Sequence, residues 1–195
     1  MISTLSKKHN FDIVFDSQKI FRLILEAMSN PARIVNIKEY ADKLYGNYPV
    51  LLAVAMTLLD NEVSFNTCEN RQLSDEIVSL TLSRREKVDS ADFIFVCEPK
   101  DTKNIIENVK FGTLADPHKS AAVIIQNDSE PIEKLKLSGP GINGYTDIMV
   151  TQTVKDSIVL RDMQNYEYPQ GIDLLFISSN GELFAVPRLT RMEVY

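Results

Sequence analysis

Ile172-Asp173-Leu174-Leu175-Phe176-Ile177-Ser178-Ser179-Asn180-Gly181-Glu182-Leu183-Phe184-Ala185-Val186-Pro187 is the stretch that decides the fold. Two β-prone runs, Ile172 to Ser178 and Glu182 to Pro187, flank Asn180-Gly181, which has the composition of a type I′ turn. The pair reads as an antiparallel hairpin near the end of the chain. Upstream, Ala91 to Cys97 and Ser120 to Gln126 are apolar runs bounded by polar turns, as buried strands are. Arg33 to Ile37, Val63 to Thr67 and Leu135 to Leu137 read as further strands.

Helical patterns separate the early strands. Ile20, Phe21, Leu23, Ile24, Ala27 and Met28 recur at helical spacing behind an N-cap expected at Asp16-Ser17. Ser29-Asn30-Pro31 stops that helix, because the residue before a proline leaves the α region. The apolar stripe is expected to carry Phe21, Leu25 and Met28 inward as core, with Arg22 at its polar margin. Pro49 suits the first turn of a helix to about Leu59. Ser74 is expected to cap another, with Asp75 and Glu76 favoured by the N-terminal dipole. Asp101-Thr102 starts a short one through Ile105 and Ile106. Alternation early and clustered strands late predict one α/β domain over residues 1–195, a mixed sheet covered by helices and partly antiparallel.

The chain has 195 residues and a formal net charge of -6. That length buries a core without staples. The acidic balance disfavours non-specific nucleic-acid binding, which depends on lysine and arginine neutralising phosphates. The N-terminal residues lack the apolar stretch of a secretory signal. The longest apolar run, Pro49 to Leu59, is shorter than the roughly 20 residues a spanning helix needs. A cytoplasmic protein without membrane partners is expected. Cys68 and Cys97 form no C-x-x-C pair and are expected to pack as small buried hydrophobes.

No motif supplies self-sufficient chemistry. Gly139-Pro140-Gly141-Ile142-Asn143-Gly144 has the form G-x-G-x-x-G, which in a dinucleotide fold opens a helix beneath a pyrophosphate. Its place late in the chain argues instead for a tight turn using glycine conformations. A Walker loop and a G-x-S-x-G elbow are missing. With two histidines and no H-x-x-x-H spacing, no metal site is expected. His118 reads as a loop residue. Arg188 and Arg191 leave the last strand, and arginine holds phosphate or carboxylate bidentately. They suit an anion, a partner's acidic face, or solvent.

Several segments, in order, resemble the H-subunit family of bacterial carbon–phosphorus lyase, the PhnH proteins. They are Phe21 to Pro31, Leu58 to Asn61, Phe111-Gly112-Thr113, Asp116-Pro117 with Ser120-Ala121, Leu137 to Ile142, Tyr168 to Leu174, and Ala185 to Thr190 with Glu193-Val194. The family often carries glutamate where this chain has His118, and a second threonine where it has Leu189. The resemblance implies a fold similar to the large domain of pyridoxal-phosphate-dependent transferases, without that cofactor. It implies a homodimer and a core complex with the G, I and J subunits. It implies a part, with little activity alone, in displacing adenine from ATP by an alkylphosphonate, ATP being a substrate of the complex. The alternative is a non-catalytic scaffold. No catalytic residue carries over. For substrate-anion binding the expectation falls on Arg188, then Arg22, with Asp173 orienting them or serving the strand.

Overall fold

A computed structural model of the chain describes residues 9–193 except 99 and 101. The helix start expected at Asp101, the first eight residues and Val194 lie outside the described residues. In chain order the helices are α1 (Phe15–Ser29), α2 (Lys38–Ala41), α3 (Pro49–Leu58), α4 (Arg71–Thr81), α5 (Thr102–Asn108) and α6 (Gln152–Asp162). The strands are β1 (Val35–Asn36), β2 (Ser64–Asn66), β3 (Arg84–Arg85), β4 (Phe93–Val96), β5 (Ala122–Gln126), β6 (Glu133–Ser138), β7 (Thr146–Val150), β8 (Asp173–Ile177), β9 (Glu182–Val186) and β10 (Arg191–Glu193). Among the described residues no helix is long and apolar enough to cross a membrane.

Seven strands form one sheet in the order β1-β9-β8-β5-β4-β2-β3. The run from β3 to β8 is parallel, while β9 and β1 join antiparallel. The mixed α/β expectation therefore holds, and the quoted hairpin is its parallel-to-antiparallel junction. Central strands are buried on both faces, which is why β4, β5 and β8 read as continuous apolar runs. Their side chains alternate between two cores. Phe95, Ile124, Leu175 and Ile177 face one, under α1, α3 and α4. Ile94, Val96, Val123, Ile125, Leu174 and Phe176 face the other. There α5, α6 and a second sheet, β10-β6-β7, form the cover.

Several local expectations fail for identifiable reasons. The hairpin turn is not type I′: Gly181 has a φ of 78°, but Asn180 does not have a positive φ. Gly181 N–H donates to the Ser178 carbonyl at 2.9 Å, closing a turn over Ser179-Asn180 that leaves only Gly181 left-handed. Asp16 is not the cap of α1. Asp12 Oδ1 accepts the Val14 and Phe15 N–H groups, and Asp16 is buried against Lys43 at 2.6 Å. Asn70, not Ser74, caps α4 by accepting the Leu73 N–H at 3.0 Å, and Ser74 is buried one turn on. Phe21 and Leu25 point outward, 50% and 53% exposed, because Ile20, Ile24 and Ala27 form the buried stripe of α1. Strand β7 and helix α6, to which the sequence reading assigns no element, are well-formed. The buried face of α6 holds Val154, Ser157, Ile158 and Arg161, so polar residues interrupt its apolar period.

Candidate functional site

At the end of β9 the chain turns through Pro187–Thr190, and two arginines hold this segment. Arg161, on α6, is fully buried. Its Nη1 donates to the carbonyls of Val186 and Pro187, each at 3.0 Å, and its Nη2 to that of Thr190 at 2.6 Å. Its Nε donates to Asp162 Oδ1 at 3.0 Å, so the charge is paired as well as hydrogen-bonded. A buried guanidinium needs both, since an uncompensated charge is costly to desolvate.

Arg188 is the outer of the two. Asp173, the first residue of β8, accepts its backbone N–H at 2.8 Å, its Nε at 3.3 Å and its Nη2 at 2.6 Å. Arg188 Nη1 donates to the Pro117 carbonyl. Arginine has five side-chain N–H groups. Among the described residues these contacts engage three, leaving one each on Nη1 and Nη2. The side chain keeps 20% of its surface exposed. It is a fixed donor with spare capacity rather than a mobile surface arginine.

A cavity of about 300 Å³ opens beside this pair. Four stretches far apart in sequence line it: Met28-Ser29 at the end of α1, Pro140-Gly141 in the glycine turn, Asp173, and Pro187 to Thr190. Gly141 makes the approach possible. Its φ is 84°, and a Cβ there would lie 2.3 Å from the Ser29 carbonyl oxygen. Thr190 is completely buried, and its Oγ1 has no hydrogen-bond partner among the described residues.

The sequence expectations fall out unequally. Asp173 and Arg188 are brought together. Arg22 stays exposed on α1 and does not line the cavity. Arg191 opens β10, exposed, 3.4 Å from Asp162. The turn from Gly139 to Gly144 joins β6 to the antiparallel β7. No helix N-terminus follows it directly, so the dinucleotide reading is overturned and the tight-turn reading stands. His118 lies exposed in a short 3-10 turn, Pro117–Lys119. Cys68 and Cys97 pack partly buried against opposite cores without a disulfide. Arg161 and Thr190 were not singled out by the sequence. The first hides because a lone arginine in a helix normally reads as solvated.

A model of the PhnH family, described as bacterial phosphonate metabolism proteins, matches residues 9–193. The chain belongs to that family. Among curated relatives, the putative C-P lyase subunit protein HtxG of Stutzerimonas stutzeri is 26% identical over 179 residues, covering 91% of this chain and 86% of HtxG. Four of the seven stretches that carry the PhnH resemblance meet here. Met28-Ser29, Pro140-Gly141, Asp173 and Arg188 each come from a different one of them. Phe111-Gly112 joins the same neighbourhood, as Gly171 N–H donates to the Phe111 carbonyl at 3.0 Å and Gln170 Nε2 to that of Gly112 at 3.0 Å.

Proposed function

We propose that this chain is a cytoplasmic subunit of a carbon–phosphorus lyase core complex, a homodimer assembling with G, I and J subunits. In it, the chain takes part in transferring an alkylphosphonate onto the ribose C1′ of ATP. A phosphonate oxygen forms the new bond to C1′, the bond from C1′ to adenine breaks, and adenine leaves with the electron pair and gains a proton. The chain contributes binding and orientation, binds no cofactor of its own, and has little activity alone.

The observation that carries this reading is the convergence of the family's dispersed segments on one cavity around a pinned arginine. The two N–H groups left on Arg188 suit two oxygens of a phosphonate or phosphate. Asp173 fixes the guanidinium plane, so little ordering cost remains when the anion arrives. Met28 and Leu189 supply an apolar wall, and Arg22 is the second, more distant cation of the proposal.

The scaffold reading has one observation in its favour: Asp173 and the Pro117 carbonyl already engage Arg188, as a structural lock would require. Co-expression with the G, I and J subunits, followed by native mass spectrometry and an adenine-release assay with methylphosphonate, separates the readings. The substrate reading expects Arg188→Ala to assemble and to release adenine poorly. Loss of assembly with the variant favours the scaffold. Normal assembly with normal release removes Arg188 from the anion site.

A further inference from the structure

The outward face of α1 is apolar. Val14, Phe15, Phe21 and Leu25 are each at least half exposed. They are not scattered singly. Val14, Gln18, Phe21, Leu25 and Met28 follow one another at alternating steps of four and three residues, the spacing of a coiled-coil seam. This seam lies beside the buried stripe of Ile20, Ile24 and Ala27, which packs α1 on the core. A contiguous apolar patch left in water on a folded chain marks an interaction site.

The seam fits a second copy of itself. When two such helices lie antiparallel, the register that sets Phe21 against the partner's Leu25 also sets Leu25 against the partner's Phe21, as a twofold contact requires. The same register sets Gln18 against the partner's Met28. Charge agrees with it. Arg22 and Glu26 flank the seam on one side, and each Arg22 approaches the twofold axis within about one turn of the partner's Glu26. Glu26 already accepts Arg33 at 2.6 Å, and a carboxylate has capacity for a second cation. The area is sufficient as well. The four open side chains leave on the order of 400 Å² of apolar surface in water, so two copies with their polar flanks bury about 1,000 Å², the least a specific interface needs.

We propose that the α1 seam is the face through which two copies of this chain pair, antiparallel about a twofold axis; this rests on the homodimer of the proposed function and names its surface. Gln18, the polar residue within the seam, helps to fix the register, as single polar residues do in coiled coils. Met28 lines the Arg188 cavity. The partner's Gln18, set against Met28, therefore places a polar side chain of the second copy at the rim of the anion site.

The test is sedimentation velocity of the full chain, from below micromolar concentration to well above it. A reversible dimer is expected. Phe21→Glu should raise its dissociation constant about a hundredfold, because it buries two unpaired charges near the axis. Its circular dichroism should match that of the parent, since the position is half exposed. Arg22→Glu should weaken the dimer about tenfold by setting like charges together, and adding Glu26→Arg should restore it. A dimer indifferent to Phe21→Glu would overturn the α1 face and leave the homodimer standing. A double variant no tighter than Arg22→Glu would overturn the register. A chain monomeric at every concentration would overturn the inference together with the homodimer. If Phe21→Glu then abolished co-purification with the G, I and J subunits, the face would belong to one of those subunits instead.

Discussion

Arg161 grips the five-residue stretch Val186 to Thr190 from α6, while Arg188 belongs to that stretch and ties it to Asp173 and the Pro117 carbonyl, and the two arginines have very different surroundings. Arg161 is sealed in, with three carbonyls and Asp162 absorbing its donors and charge. Arg188 is fastened on one side by Asp173 and stays open on the other. A buried arginine with its donors taken is a buttress. An arginine fixed in plane beside a cavity, with two N–H groups left over, is what the proposed anion receptor requires. The contrast shows that residue type says little about role until each donor is counted.

The largest expected effect comes from breaking the buttress. Arg161→Ala should destabilise the chain by about 3–5 kcal/mol, since it strands buried carbonyls and opens a hole beneath the segment. Urea unfolding followed by circular dichroism measures it. Next, Gly141→Ala should cost about 2 kcal/mol, because the new methyl meets the Ser29 carbonyl at a left-handed φ. Its thermal midpoint should fall although nothing touches either arginine. Arg188→Lys should cost only about 1 kcal/mol, because charge is kept and only the fork is lost. If Arg188→Lys unfolds the chain as severely as Arg161→Ala, the distinction between buttress and receptor collapses.

Two smaller effects sharpen the comparison from outside it. Burial pushes the Asp92 carboxyl up, but Lys110 at 2.5 Å and the hydroxyl and N–H of Ser64 outweigh this and hold it below the usual value. Its folded pKa is lowered, so its stabilisation is complete above the unfolded value of about 3.9 and is lost as pH falls through the folded one. Acid unfolding below about pH 4 should therefore be less steep in Asp92→Asn than in the parent chain. Finally, Arg22→Ala on the exposed face of α1 should change stability by less than about 0.5 kcal/mol.

The parallel core was legible because β4, β5 and β8 are apolar on both faces, and a run without polar interruption has few other places to go. α1 and α3 were legible from period and proline, although the direction of the α1 stripe was not. Phe21 and Leu25 look like core by composition, and only the packing of Ile20, Ile24 and Ala27 shows which face turns inward. α6 was hidden because Arg161 and Ser157 occupy its buried face. Of the site, Asp173 and Arg188 were legible as residue types at the ends of strands. Their pairing depends on the sheet register that sets Leu174 opposite Val186. The cavity depends on a glycine turn packing on the far end of α1, a contact between residues more than a hundred positions apart.

The most direct measurement is the dependence of adenine release on methylphosphonate concentration, for complexes assembled with Arg188→Lys and with the parent chain. Native mass spectra would establish equal assembly. The account predicts a raised KM for methylphosphonate in the variant, because lysine keeps the charge but loses the fork. An unchanged KM and rate in a fully assembled variant would contradict it.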